Sequence, residues 1–290
     1  MAKVRLSAGR EEVLFDDSAP LQGGTGKFSV AFRGVSLRTG EAVLVKHLRR
    51  EPSGGDRYER LSALRHPALQ RVVGLARHAG EPFLVMEYRE GEDLKRYLSR
   101  HGRVREPHQA LQWMLEVLGA LSFLHDKRIV HADVKPSNLL VYEGYDGRRH
   151  MRLLDLDGVL FLDDLPRRRL PFAMIYAPPE QVLGFTQLVA PASDLYSLGV
   201  VLWEMLSGRR PYGGGHPSAI INLQLNAPLP RDRRIPGPLG EIIARATAKQ
   251  PFPRPPAYYS REEIEKILAE GIAARYANAA EMQQALRRAR

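Results

Sequence analysis

"HADVKPSNLL", residues 131–140, sets a His, an Asp, a Lys and an Asn within eight positions, directly ahead of an apolar run. Pro136 and the polar density mark a loop, and Leu139-Leu140-Val141 reads as the start of a strand. Asp133 is suited to accept a proton from an attacking hydroxyl or to orient it. Lys135 is suited to neutralise a phosphoryl group in transit, and Asn138 offers a hard oxygen to Mg2+. Taken singly, each acid has a plainer reading as a turn residue or helix cap. A second stretch, "RLLDLDG" (152–158), weighs against coincidence, because it delivers Asp155 from an apolar strand where a carboxylate can chelate a phosphate-bridging metal.

Upstream, "GGTGKFS" (23–29) holds Gly24 and Gly26 in a G-x-G between two strand patterns. Missing side chains there let backbone N–H groups approach phosphate oxygens. Alone, this is a glycine-rich hairpin. It gains meaning from "VLVK" (43–46), where Lys46 ends an apolar strand facing such a loop and is placed to hold α- and β-phosphates.

Residues 13–48 alternate as strands, with a turn at Thr39-Gly40, and "EPFLVMEY" (81–88) is another strand. "DRYERLSALRHP" (56–67) reads as a short helix. Beyond Gly91 the pattern turns helical. Leu111, Met114, Leu115, Leu118, Leu121 and Phe123 form a stripe, and "DLYSLGVVLWEMLSG" predicts a buried helix starting after Ser193 and stopped by Gly208. The closing "AAEMQQALRRAR" is amphipathic and basic in its last turns, as the helix dipole favours. This order predicts an α+β fold of one domain in two lobes, 1–86 strand-rich and 87–290 helical. Two Pro-rich stretches, 227–238 and 249–260, read as loops, and 249–270 is either a docking insert or a surface loop with a short helix.

Of 290 residues, 44% are hydrophobic, enough for a sizeable core. With no cysteine, disulfides, thiolate catalysis and Cys-based zinc sites are excluded. The longest near-apolar stretch, 197–206, is too short to span a bilayer and carries Glu204, so a cytoplasmic protein without a membrane span is expected. The net charge of +10 is spread over separate clusters without interleaved aromatics, which favours a solvated basic surface over a nucleic-acid face.

From about residue 15 to its end, the chain resembles a eukaryotic-type protein kinase of the sort also found in bacteria, the Hanks type. "GGTGKFSVAF" is similar to the glycine-rich loop, "VLVK" to the ATP-lysine strand and "HADVKPSN" to the catalytic loop. "DLD" stands for the magnesium-binding triplet, "YAPPEQ" closes the activation segment, and "ARYANAAEM" matches the last motif of bacterial Ser/Thr kinases. The resemblance implies ATP and Mg2+ as cofactors and a Ser/Thr protein substrate. Asp133 would be the base, Lys135 the charge stabiliser, Lys46 the phosphate ligand, and Asn138 and Asp155 the metal ligands. Adenine would bond to the backbone around Glu87 and Arg89 and stack between Ala31, Leu44 and Leu140, with Met86 as gatekeeper and Asp93 at the ribose. Gly24, Gly26 and Ser29, the last in place of a third Gly, would cover the phosphates. The resemblance also implies a buried Glu180–Arg275 pair and hydrogen bonds from the backbone near His131 to Asp194.

The sequence departs from that pattern in several places. Ala132 replaces the Arg that binds a phosphorylated activation segment in most members. The segment itself (156–179) contains neither Ser nor Thr, only Tyr176, which the match makes a packing residue. Receptor and target of the switch are missing together, so the segment is expected to fold without phosphorylation, with Asp163, Asp164 and Arg167–Arg169 as candidate internal ion pairs. Asp157 replaces the Gly of the metal triplet and would either repel ATP or join the metal's outer shell. Arg57 stands where a Glu should reach Lys46, leaving Glu59 in a shifted register, or another group such as Asp155, to hold the lysine. Ala173 replaces a Thr that contacts Asp133 and the substrate platform. Three readings follow: an active Ser/Thr kinase, a pseudokinase serving as nucleotide-binding or interaction scaffold, and a kinase for a non-protein substrate.

Overall fold

Val4, Leu6 and Ala8 alternate with polar residues, and in the computed structural model they form the inward face of β1 (Lys3–Ala8). The structure describes residues 3–25, 29–49, 56–166, 170–212 and 215–289. β1 turns through Gly9 (φ 62°) into β2 (Glu11–Thr25), so strand structure begins well before residue 13. The V-x-L-x-A alternation at the N-terminus carries that signal. β3 (Ser29–Ser36), β4 (Ala42–Leu48), α1 (Arg57–Ser62), β5 (Val72–His78) and β6 (Glu81–Glu87) complete a first compact unit, Met1–Gly91. Its antiparallel sheet has the order β1-β2-β3-β4-β6-β5. The sheet curls until its edges approach: an added Cβ on Gly74 of β5 would stand 3.4 Å from the carbonyl carbon of Ala8 in β1.

One face of this sheet holds the core. Val4, Leu6, Val13, Val43, Val45 and Val85 cluster with Phe15, whose ring lies 5.3 Å from Phe32 and 5.7 Å from Phe83. Side chains alternate along a strand, so Leu44 and Lys46 project from the face opposite Val43 and Val45. The register pairs Ala31 with Lys46 and Leu44 with Met86, which gathers these four residues on that second face.

The second unit, Glu92–Arg290, is mainly helical. It opens with β7 (Glu92–Asp93), α2 (Leu94–His101) and α3 (Pro107–Asp126). Short strands follow: β8 (Ile129–Val130), β9 (Leu139–Glu143), β10 (Arg149–Leu153) and β11 (Leu160–Phe161). Then come α4 (Pro179–Val182), α5 (Pro191–Ser207), α6 (Pro217–Asn226), α7 (Gly237–Ala246), α8 (Arg261–Ala273) and α9 (Ala279–Arg288). α5 begins at Pro191, ahead of Ser193, because proline suits the first helical position. It is buried from Ala192 to Ser207 and ends at Gly208, whose φ of 70° suits a residue without a Cβ. At its middle, Gly199 lets α7 approach: a Cβ there would meet Ala246 and Thr247 side chains at 2.9 Å.

The stretch 249–270 carries the expected helix, α8, and contributes Phe252 and Leu268 to a core cluster. α8 starts at a capping box formed by Ser260 and Glu263. Phe252 and Leu268 enter one core cluster with Val182, Phe185 and Leu225, and Tyr259, Ile264 and Ile267 pack against it. Burying these groups roofs α4 with apolar surface.

Candidate active site

The loop 131–138 is tied to the fold at nearly every residue. His131 is fully buried; its Nε2 lies 2.9 Å from the Leu154 carbonyl, and its Nδ1 accepts the Asp133 backbone N–H at 3.3 Å. One neutral tautomer satisfies both contacts, so the imidazole links the Asp133 turn to the residue preceding Asp155. Asp194, at the start of α5, accepts the N–H of His131 on Oδ2 and that of Ala132 on Oδ1, both at 2.8 Å. The same Oδ2 meets His125 Nε2 at 2.8 Å. These donors hold a buried carboxylate, and the carboxylate in turn fixes the loop backbone.

Within that frame the polar side chains converge. Lys135 Nζ donates to Asp133 Oδ2 at 2.6 Å, and Asn138 Nδ2 donates to the same oxygen at 3.0 Å and to the Asp133 carbonyl at 2.9 Å. Pro136–Asn138 forms a single 3-10 turn that leads into β9. β9 pairs with β10, Leu139 opposite Leu153, and the Leu154 N–H donates to the Asn138 carbonyl at 2.8 Å. The end of this hairpin therefore carries both Asn138 and Asp155. Asp155 adopts φ 67°, ψ 69°, a left-handed conformation that costs a residue with a Cβ about 1 kcal/mol and is found preferentially at functional positions.

The donor set suits a small hard cation. Asn138 spends its amide nitrogen on Asp133, which leaves its carbonyl oxygen for another partner; that oxygen and the Asp155 carboxylate are the ligand types Mg2+ prefers. Asp157 lies in the 3-10 turn Leu156–Gly158, directly after it. Asp93 caps α2, accepting the Arg96 N–H at 2.9 Å, while Arg96 Nε lies 3.4 Å from its other oxygen. In the register it stands opposite Leu140. The carboxylate expected at a ribose thus already has a helix-capping role.

Four of the residues expected at the nucleotide from the first unit, Ala31, Leu44, Lys46 and Met86, share one sheet face. Met86 is 1% exposed, and Ala31, Leu44 and Lys46 are half-buried. Glu87 donates its N–H to the Arg71 carbonyl at 2.9 Å, and its own carbonyl accepts from Gln70 Nε2 at 3.2 Å. Arg89 follows in the extended segment after β6. Gly24 lies in β2 and Ser29 opens β3, while Gly26 lies outside the described residues. Glu59, one of the two candidates for holding Lys46, lies exposed in the first turn of α1, a six-residue helix that turns Tyr58 and Leu61 inward.

The pairing of Glu180 with Arg275 is bidentate, Nη1 to Oε1 at 2.8 Å and Nη2 to Oε2 at 3.1 Å, with side-chain exposures of 0% and 1%. Ser193 Oγ adds a bond to Glu180 at 2.7 Å, and Arg275 Nε donates to the Ala248 carbonyl at 2.9 Å. Few polar valences of the pair remain unmet, as burial demands.

One group that the sequence does not mark completes the region. Gln181, beside Glu180 in α4, donates from Nε2 to the Ala132 carbonyl at 2.8 Å and to the Pro171 carbonyl at 3.1 Å. Ala132 itself has φ 60°, and its methyl packs with Leu162 and Leu170 of the activation segment against Val130, Leu160 and Val189. β11 of that segment pairs with β8, and the Leu162 N–H donates to the Arg128 carbonyl at 2.9 Å. Tyr176 donates its hydroxyl to Glu204 Oε2 at 2.7 Å, and burial raises both its own pKa and that of Glu204. Arg167–Arg169, offered as ion-pair partners for the segment, lie outside the described residues. Only the H-x-D spacing hinted at the His131 link; nothing local marks Gln181.

Comparison with known proteins agrees with this architecture. The protein kinase domain model matches residues 22–279. The chain is 33% identical over 211 residues to the serine/threonine-protein kinase PrkC of Bacillus subtilis, covering 70% of this chain and 31% of that protein. It is 33% identical over 260 residues to PkaA of Streptomyces coelicolor, 86% and 47% of the two chains. It is also 29% identical over 245 residues to PknL of Mycobacterium tuberculosis, 79% and 60% of the two. The chain thus spans between about a third and three fifths of the length of these curated relatives. On the match over residues 22–279 and these identities, the chain belongs to the protein kinase family, among the bacterial serine/threonine kinases of the Hanks type.

Proposed function

We propose that the chain is a Mg2+-ATP-dependent serine/threonine protein kinase whose activation segment is held by packing rather than by phosphorylation. The observation that carries the transfer reading is the Asp133 carboxylate gripped by Lys135 and Asn138. With one oxygen so engaged, the other is available to orient the hydroxyl of a protein substrate and take its proton. The Lys135 ammonium stands beside it to offset charge on the phosphoryl oxygens, and Lys46 is assigned to the phosphates by its position in β4, paired with Ala31 of β3. Asn138 and Asp155 would hold the metal, which when bound supplies neutralisation of the polyphosphate charge.

The packing of Ala132, Leu162 and Leu170 on one apolar cluster supports a segment ordered without a phosphate, at the position where most of the family carries an Arg. Asp157 and the exposed Glu59 favour a second reading, a nucleotide-binding scaffold without transfer.

Two measurements separate these readings. Saturating Mg2+-ATP at 100 times Kd stabilises a binder by about 2.7 kcal/mol, a rise of a few degrees in Tm for either reading. Labelled phosphate transfer from ATP to a general acceptor protein, in wild type and in Asp133→Asn, then decides. Transfer by wild type with at least 100-fold less in the variant supports the kinase; binding with no transfer by either leaves the scaffold.

A further inference from the structure

A cavity of about 600 Å³ opens on the second unit between α2, the loop 102–106, the start of α3 and β10. Arg100, Arg103, Arg105 and Arg149 line it with His101, against a single lining carboxylate, Glu106. Four guanidiniums against one acid leave a formal charge of +3 with His neutral. Among the nearby acids, Glu92 engages Arg100 at 3.1 Å and approaches His101 at 4.0 Å, while Glu143 stands opposite Arg149 across the β9–β10 ladder. Arg103 and Arg105 have no side-chain partner among the described residues. Unpaired, like-charged guanidiniums held in one concavity are a cost to the fold on its own and an asset to an anionic partner.

The walls are held in place independently of any ligand. Val104 is 2% exposed and donates its N–H to the Met205 carbonyl at 2.8 Å, while Gly102 donates to the Leu98 carbonyl at 2.8 Å. Gly208, ending α5, sits so close that a Cβ there would stand 2.7 Å from the Gly102 carbonyl oxygen. The Arg149 carbonyl accepts from Trp113 Nε1 at 3.0 Å and from Gln109 Nε2 at 3.4 Å, and the Tyr97 ring packs edge-on against Trp113 at 5.4 Å. A concavity fixed in this way costs little ordering on binding.

We propose that this basic concavity docks an acidic, Asp/Glu-rich segment of a protein partner. The arginines come from three separate elements, α2, the loop and β10, which suits a row of separate carboxylates along an extended peptide. Single-stranded nucleic acid would want an exposed ring to stack on, and Tyr97 is only 9% exposed and covered by Trp113 and His101. A membrane would want apolar side chains at the rim; the exposed large hydrophobics, such as Leu37, Tyr145 and Leu223, lie elsewhere. A second copy fits poorly as occupant, because the chain carries +10 and never more than two consecutive acids. The partner is therefore a different, acidic protein.

The test uses the full chain without nucleotide, so it is independent of phosphoryl transfer. A fluorescein-labelled twelve-residue peptide of alternating Asp and Glu with Gly spacers is titrated by anisotropy at low salt. Its Asn/Gln analogue, a single-stranded RNA twelve-mer and anionic phosphatidylglycerol vesicles serve as parallel probes. The acidic peptide is expected to bind and the neutral analogue not. Arg103→Ala/Arg105→Ala should weaken binding at least tenfold, Arg103→Lys/Arg105→Lys should recover part of it, and Arg287→Ala/Arg288→Ala on α9 should leave it unchanged. Unchanged thermal melting of each variant shows that it is folded. Loss of binding equally in the α9 variant, no binding of the acidic peptide, or tighter binding of RNA or vesicles that depends on Arg103 and Arg105 would each overturn the proposal.

Discussion

The carboxamide of Gln181 donates to two carbonyls at once, Ala132 of the loop 131–138 at 2.8 Å and Pro171 of the segment 156–179 at 3.1 Å. Gln181 is 2% exposed, so water does not substitute easily for either bond. One side chain thereby sets the distance between the loop that carries Asp133 and the segment that follows Asp155. Gln181→Ala should lower stability by about 1–3 kcal/mol in urea unfolding, the cost of leaving buried acceptors without a donor. It should also reduce the transfer rate more than it raises the KM for ATP, because it disturbs the substrate side.

Ala132 explains its own identity. Its carbonyl meets Gln181, its N–H meets Asp194, and its methyl packs on the same apolar cluster as Leu162 and Leu170. Ala132→Arg, which restores the commoner residue of the family, should destabilise the protein by about 2 kcal/mol or more, since a guanidinium would enter an apolar cluster without a counter-charge. Chemical unfolding measures this; an unchanged or raised stability would mean the side chain finds an anion in the segment after all.

The Glu180–Arg275 pair is buried at 0% and 1% side-chain exposure. Arg275→Met or Glu180→Gln should each cost about 3–5 kcal/mol, because either strands the other group. The double variant should cost less than the sum of the two, and a double-mutant cycle reads that coupling directly.

Lys249 gives the stability profile a pH dependence. Its Nζ donates to the Gln224 carbonyl at 2.8 Å, to Tyr212 Oη at 3.1 Å and to Tyr196 Oη at 3.2 Å. Burial, aided by the charge of Arg275, pushes its pKa down to about 7 from 10.5. Below pH 7 the amine is charged in both folded and unfolded chains, and the cost of burying that charge is fully present. Between about 7 and 10.5 the unfolded chain binds the extra proton, so the unfolding free energy climbs with pH. The Tm of wild type should therefore rise from pH 7 to pH 9 relative to Lys249→Met. Parallel profiles would show that Lys249 stays charged in the fold.

How much of this was legible depends on whether a residue acts through its neighbours in sequence or through distant ones. The strand alternation around Lys46, the buried run of α5 and the grouping of Asp133, Lys135 and Asn138 are local patterns, and they read directly. Glu180, Arg275 and Asp194 were identified through motif position, which encodes long-range geometry that spacing alone does not. Gln181 and Lys249 were missed because their partners lie far along the chain. Lys249 sits in a Pro-rich stretch that looks like solvent-exposed loop until Tyr196 and Tyr212 close over it. The orientation of Glu59 was hard to read for a related reason: a six-residue helix has few turns in which to declare its buried face, which Tyr58 and Leu61 form.

The most direct test of the account is the initial rate of phosphate transfer from Mg2+-ATP by phosphatase-treated wild type, with Asp133→Asn beside it and mass spectrometry of residues 156–179 at each time point. The account predicts full activity from the first minute, no phosphate on that segment, and at least a 100-fold loss in the variant. A lag that ends as the segment becomes phosphorylated, or equal rates in the two proteins, would contradict it.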